Sequence, residues 1–226
     1  MESASDLGKK AYWDSLYQQE LDNFQENGDE GEIWFGVSCE NRLRHWMRQH
    51  LSPDSSILDV GCGNGAFVIK LFSEDGFKYC VGVDYSEFAV DLCRNRCIKE
   101  NIPLQFEVLD FLDSSDVLAF SSKQSSKGFD FILDKGTYDA VSLTASKRDQ
   151  TDNQPLLKEY RRNLNRLLKS DGSTKFLLTS CNFTRDELLV QFSDFVLLDE
   201  IPAPQMSFGG ASGQTVTSLV FGVKKN

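Results

Sequence analysis

Residues 57–65 read ILDVGCGNG, an apolar run ending in an acid, Asp59, and followed by glycines at 61, 63 and 65. An apolar strand that runs into glycines and then into the apolar stretch from Ala66 to Phe72 describes a strand–turn–helix unit. Its turn lets backbone approach a ligand, and its helix presents free amides to that ligand. Gly61, Gly63 and Ala66 satisfy the dinucleotide fingerprint, and an acid, Asp84, closes the next apolar run YCVGVD at the spacing of about twenty residues expected of a ribose ligand. A ribose is common to NAD and to the adenosyl group, so Asp84 supports a nucleoside without choosing between them. Helix capping is the competing reading, but that duty suits Ser86, which directly precedes EFAVDLCRNRC. Asp59 is more discriminating. A carboxylate at the mouth of the loop repels a pyrophosphate and attracts the amine and sulfonium of S-adenosylmethionine.

The 226 residues suffice for one domain with a sizeable core, and 40% hydrophobic with 26% charged residues is the balance of a soluble globular chain. No apolar run approaches a membrane span, so no membrane partner is expected. The polar start MESASDLGKK lacks the apolar centre of a secretory signal, which predicts a cytoplasmic protein, with the nucleus also open to it. Six cysteines without a C-x-x-C pair, and only two histidines, His45 and His50, argue against a metal centre. Structural roles are expected for the cysteines, Cys62 beside the glycine loop being the one to watch. A net charge of −10 disfavours nucleic acid as the main partner and suits a basic one. The basic segment KEYRRNLNRLLK reads as the solvated face of a helix.

Outward from the glycine loop, strands near 56–60, 79–83, 104–109, 129–133 and 174–179 alternate with helices after Gly65, after Ser86 and over 154–169. Pro155 suits a first helical turn and Gly172 a stop. Upstream, helical stretches fall at 9–24 and near 40–51, joined by the acidic connector NGDEGE. SSDVLAFSSKQSSKG reads as a short helix plus a surface loop. At the end, VLLDEI and TVTSLVFGV are strand-like runs linked by PAPQMSFGGASGQ without a helical segment, and they are expected to pair antiparallel. The fold class is therefore α/β: a Rossmann-like, mostly parallel seven-stranded sheet with helices on both faces and a C-terminal antiparallel hairpin. Residues 1–36 form a helical or lid segment packed on a core domain of 37–226.

ILDVGCGNG, the acids of VGVD and VLDF and the strand FDFILD together resemble the seven-β-strand, class I S-adenosylmethionine-dependent methyltransferases over nearly the whole chain. More narrowly, AYWDSLYQQELDNF, GEIWFG and above all LDKGTYDA are similar to the elongation factor 1-alpha lysine methyltransferase group. The resemblance implies S-adenosylmethionine as cofactor and a protein substrate, elongation factor 1-alpha, modified on a lysine by a monomeric enzyme. It also implies that Gly61 and Gly63 hold the methionine carboxylate, with Asp59 near the amino group and Asp84 on the ribose. Tyr85 packs on the adenine, Asp110 accepts from the adenine amino group, and Phe111 serves as an apolar wall or as ordinary core. Asp134, at the end of the fourth strand, is placed beside the reacting methyl group; its structural alternative is a cap for the helix beginning near Thr137. Lys135 is either functional or a surface charge. Tyr138 and Asp139 either orient the acceptor or pack beneath it. Trp34 and Phe35, between Gly31 and Gly36, form a lid or a wall of the lysine channel, and Trp34 is also expected at the cofactor. The stripe Tyr12, Trp13, Leu16, Tyr17, Leu21 and Phe24 is read chiefly as packing. An NAD-dependent oxidoreductase, a methyltransferase with another acceptor and a non-catalytic adaptor remain the alternatives.

Overall fold

The alternation becomes one seven-stranded sheet in the computed structural model, which describes residues 5–124, 128–144, 154–169, 172–208 and 211–224. A short 3-10 turn (Asp6–Gly8) leads into α1 (Lys10–Asn27) and α2 (Gly36–His50). Then follow β1 (Ser56–Val60), α3 (Ala66–Ser73), β2 (Tyr79–Asp84), α4 (Glu87–Glu100), β3 (Gln105–Val108), α5 (Ser114–Lys123), β4 (Phe131–Lys135) and α6 (Thr137–Ser142). The chain continues through α7 (Gln154–Leu167), β5 (Lys175–Ser180), α8 (Arg185–Gln191), β6 (Phe195–Glu200), β7 (Gln205–Phe208), β8 (Ala211–Gln214) and β9 (Thr217–Val223). Strand order in the sheet is β3-β2-β1-β4-β5-β9-β6. β1 to β5 are parallel, and β9 runs antiparallel between β5 and β6, with Leu178 opposite Leu219 and Val196 opposite Gly222.

The strands are apolar on both faces because both are covered. Leu58, Val60, Ile132, Phe176 and Phe221 point to the side closed by α5, α6, α7 and α8. Ile57, Phe131, Leu133, Leu177 and Val220 point to the side closed by α2, α3 and α4. α1 lies outside this pair of layers and packs Leu21 and Phe24 on Phe88 and Leu92 of α4. Leu157, Tyr160, Leu164 and Leu167 of α7 are buried and Leu156 is half-buried. The solvated basic face expected of this helix holds for Arg162, whereas Arg161 and Arg166 are half-buried, Arg161 reaching Tyr138 and Gln191 and Arg166 reaching Asn163. Among the described residues no helix is long and apolar enough to cross a membrane.

Two elements depart from the sequence reading. α8 lies in a stretch read without a helix, although Thr184 and Glu187 form a complete capping box there, a local signal that was legible. The link between the last two sheet strands also carries its own ribbon, β7 paired with β8. Gln205 and Gln214 are partners in that ribbon, and a Gly-Gly step between such runs is a hairpin signal.

Candidate active site

At the carboxyl end of β1 the backbone takes left-handed conformations at Gly61 (φ 68°), Gly63 (φ 55°) and Gly65 (φ 72°). Each is also sterically required. A Cβ on Gly61 would lie 1.9 Å from Thr137 Oγ1, because that hydroxyl donates to the Val60 carbonyl at 2.8 Å and ties α6 to the end of β1. A Cβ on Gly63 would lie 2.6 Å from the Tyr17 hydroxyl, so the space at Gly63 is taken by a side chain of α1. At Gly65 the obstacle is Cys93 Sγ, at 2.7 Å. The loop borders a cleft of about 1120 Å³, its open mouth included, lined by residues from the ends of β1 to β4 and from α1, α2, α3, α6 and the connector before α2.

Asp59, Gly61, Gly63, Asp84, Tyr85, Asp110, Phe111 and Trp34, all expected at the cofactor, line this one cleft. Asp84 is buried and accepts from the Gly63 N–H at 3.0 Å and the Ser86 N–H at 2.9 Å, so it also shapes the loop it faces. Ser86 itself makes no side-chain cap, and its buried Oγ has no partner among the described residues. Burial pushes the Asp84 carboxyl up to about 6, against the two backbone bonds that lower it. Asp59 is raised further, to about 7, by burial and by the neighbouring Asp84 and Glu40, while Lys135 opposes the shift. Beside it Glu40, buried on α2, receives Lys70 on one oxygen at 2.5 Å, and its other oxygen has no partner among the described residues. Lys135 also lines the cleft; burial depresses its pKa, and its Nζ donates to the Trp34 carbonyl at 3.1 Å.

Asp110 accepts from the Leu112 N–H at 2.9 Å, which fixes the turn after β3. Phe111 shares both of its expected roles, lining the cleft while packing on Tyr160 at 4.9 Å between centroids. Tyr85 carries the Lys10 ammonium over its ring at 5.3 Å. The aromatic stripe of α1 divides: Leu21 and Phe24 pack on α4, while Trp13 and Tyr17 turn into the cleft. Trp13 meets Trp34 edge-on at 5.4 Å, and Trp34 lies against Gly136, where a Cβ would come within 3.1 Å of the indole.

Asp134 and Tyr138, expected as catalytic residues with structural alternatives, take the structural alternatives. Asp134 is fully buried and absent from the cleft wall. Its carboxylate folds back under α6 and accepts from the Thr137 N–H at 2.8 Å, the Tyr138 N–H at 2.9 Å and the Tyr160 hydroxyl at 2.5 Å. The capping alternative describes this geometry, with burial raising the carboxyl to about 7 against the three hydrogen bonds. Tyr138 points away from the cleft into the core against Tyr160, Phe183 and Phe192, its hydroxyl meeting Gln191 and Arg161. Asp139 likewise turns inward, bonded to Ser180 Oγ and to the Cys181 N–H at 2.7 Å. Five cysteines are buried and Cys181 is exposed; Cys62 lines the cleft. Tyr17, read as packing, and Glu40, which the sequence reading did not single out, are both cleft residues, because nothing local marks a helical tyrosine or glutamate that becomes a wall only after helices dock.

Residues 51–206 match a family model described as a methyltransferase domain. The chain is 44% identical to EEF1A lysine methyltransferase 2 of Homo sapiens, over 96% of its own length and 86% of that protein's. It is 36% identical to protein-lysine N-methyltransferase EFM4 of Saccharomyces cerevisiae, over 99% of this chain and 97% of that one. Among solved structures, magnesium protoporphyrin IX methyltransferase from Synechocystis PCC 6803 superposes with a TM-score of 0.60 at 12% identity, covering 99% of this chain and 100% of that one. At that identity the likeness speaks for the fold alone. The two lysine methyltransferases match through the N-terminal wall as well as the sheet, well beyond the widely shared glycine loop, and the chain therefore belongs to the methyltransferase-domain family, in the group of EEF1A lysine methyltransferase 2 and EFM4.

Proposed function

We propose that this chain is an S-adenosylmethionine-dependent protein-lysine N-methyltransferase that modifies a lysine of translation elongation factor 1-alpha, acting as a monomer in the cytoplasm. The observation that carries the reading is near-full-length similarity, at 44% identity to a relative named as an EEF1A lysine methyltransferase and at 36% identity to one named as a protein-lysine N-methyltransferase. The cleft fits the cofactor. Among the described residues no hydrogen bond to Asp59 opposes its raised pKa and one oxygen of Glu40 has no partner, the other being held by Lys70, so the acidic side of the cleft suits a cation beside a backbone loop. The methionine end would lie against Asp59, Gly61, Gly63 and Lys135, the ribose against Asp84, and the adenine between Tyr85, Asp110 and Phe111.

The cofactor, when bound, supplies an electrophilic methyl group on a sulfonium. The protein's own work is to orient the acceptor and to deliver it as a neutral amine. Deprotonating a lysine of pKa about 10.4 at pH 7.4 costs about 4 kcal/mol, whereas good positioning supplies about 7–11 kcal/mol, so positioning outweighs base strength. Burial against the Trp34 wall lowers an amine's pKa, as it does for Lys135. Asp134, with both oxygens occupied by donors, holds α6 and Gly136 in place and leaves the proton to solvent.

The test is transfer of labelled methyl from S-adenosylmethionine to purified elongation factor 1-alpha, with the modified residue located by mass spectrometry. A labelled lysine is the expected result. Label appearing on no residue, or only on non-lysine residues, would refute the assignment.

A further inference from the structure

Three separate segments meet at one buried carboxylate. Glu20 of α1 is buried, and its Oε1 accepts from the Glu32 N–H at 3.0 Å while its Oε2 accepts from Asn64 Nδ2 at 3.4 Å. Glu32 belongs to the connector between α1 and α2, and Asn64 to the glycine loop. The same Asn64 Nδ2 donates to the Glu32 carbonyl at 2.9 Å, and its Oδ1 accepts from the Ala66 N–H at 3.2 Å at the start of α3. Gly31 makes room for the carboxylate: it sits at φ 81°, and a Cβ there would fall 2.3 Å from Glu20 Oε2. Just past this node the connector continues as Ile33 and Trp34, which line the cleft.

We propose that Glu20 is a positioning residue: it latches the connector to the glycine loop, so that closure of the Trp34 wall and the cofactor-binding shape of the loop are set together through Asn64. The inference rests on the methyltransferase reading of the cleft. Its chemistry is specific to a carboxylate. Both neighbours of Glu20 are donors, so a carboxamide accepts from one and turns its own N–H groups on the other. Asn64 cannot flip to repair this, since its oxygen is held by the Ala66 N–H and its amide by the Glu32 carbonyl. Arg96 braces the same node, donating to the Asn64 carbonyl at 2.9 Å and to the Glu30 carboxylate at 2.7 Å.

Two variants address the latch through different atoms: Glu20→Gln removes an acceptor, and Gly31→Ala drives a methyl into the carboxylate. For each, affinity for S-adenosylhomocysteine is measured by calorimetry, hydrogen exchange is followed over residues 28–36, and kcat is separated from the cofactor KM. The expected result is an affinity loss of about ten-fold or more, the scale of a lost hydrogen bond to a charged group. It should come with faster exchange of the Glu32 amide and a larger effect on KM than on kcat. A merely structural role would lower the melting temperature and leave affinity per folded molecule unchanged, which overturns the proposal. In the wild type, which needs no variant to fold, S-adenosylhomocysteine should slow exchange of the Glu32 amide; unaltered exchange in a cofactor-saturated protein also overturns it. Failure of the wild type to bind S-adenosylhomocysteine at all would instead remove the cofactor reading beneath it.

Discussion

Gly61→Ala tests the claim that the glycine loop is shaped by its neighbours as much as by its ligand. The new methyl meets Thr137 Oγ1 at 1.9 Å and enforces φ 68° on a residue with a Cβ. The left-handed conformation costs about 1–2 kcal/mol for an L-residue. Displacing Thr137 forfeits its bond to the Val60 carbonyl, worth a further ~0.5–1.5 kcal/mol. The sum is a loss of about 1.5–3.5 kcal/mol. Thr137→Ala alone forfeits only the hydrogen bond, about 1 kcal/mol. In the double variant the overlapping oxygen is gone and the nearest remaining atom is the residue 137 Cβ at 3.0 Å. The double variant should therefore lie below the sum of the singles by roughly 1 kcal/mol or more, a coupling typical of residues in contact. Urea unfolding of all four proteins at one pH, with m-values compared, gives the cycle. A Gly61→Ala protein as stable as wild type, or strictly additive losses, would show that Thr137 does not occupy the space the geometry assigns to it.

Three further outcomes follow from the site. Burial first, then Asp84 and Glu40, raises Asp59 from its ordinary 3.8 to about 7, so its contribution to the stability of the cofactor-free fold is complete below the unfolded value and is lost as pH rises through 7. A cationic ligand reverses that preference: S-adenosylmethionine affinity should climb toward pH 7 by up to about ten-fold per pH unit, with proton release, and calorimetry in buffers of different ionisation heat should detect no release in Asp59→Asn. Asp134→Ala strands three buried donors at ~1–3 kcal/mol each and should show itself as a large fall in melting temperature. Tyr160→Phe removes one donor and should cost about 1 kcal/mol; an Asp134→Ala protein of normal stability and lost turnover would restore a direct catalytic role. Removal of residues 1–27 takes away Trp13, Tyr17 and Glu20 and should abolish measurable S-adenosylhomocysteine binding while far-UV circular dichroism keeps the sheet signal; undiminished affinity would dissociate the N-terminal segment from the site.

The sheet was legible because its strands are short apolar runs punctuated by glycine and by acids at their carboxyl ends. Those acids, Asp59 and Asp84, line the cleft as their positions suggested. Asp134 ends a strand in the same way, yet the tight turn through Gly136 brings the first N–H groups of α6 over it, and two backbone donors capture the carboxylate. Position along a strand was readable; the direction of the side chain depended on the entry angle of the next helix. Tyr138 shows the same limit, since the face of a six-residue helix that meets the core is decided by α7 and α8. Trp13 and Tyr17 share helical spacing with Leu21 and Phe24, and only the docking of α1 on α4 separates the residues that pack from those that line the cleft.

The place of β9 between β5 and β6 has a consequence for biosynthesis. β6 leaves the ribosome before the strand that joins it to the sheet, and among the described strands β9 is its sheet partner. Until Thr217 to Val223 emerge, both β5 and β6 present open edges, and β6 carries Val196 and Leu198, which even in the finished fold are 42% and 51% exposed. A chain in which the strands up to β6 have formed and β9 has not would already hold the complete parallel half of the sheet and the glycine loop, yet would offer two unpaired strands to any neighbour, which makes the insertion of β9 the aggregation-exposed step of folding.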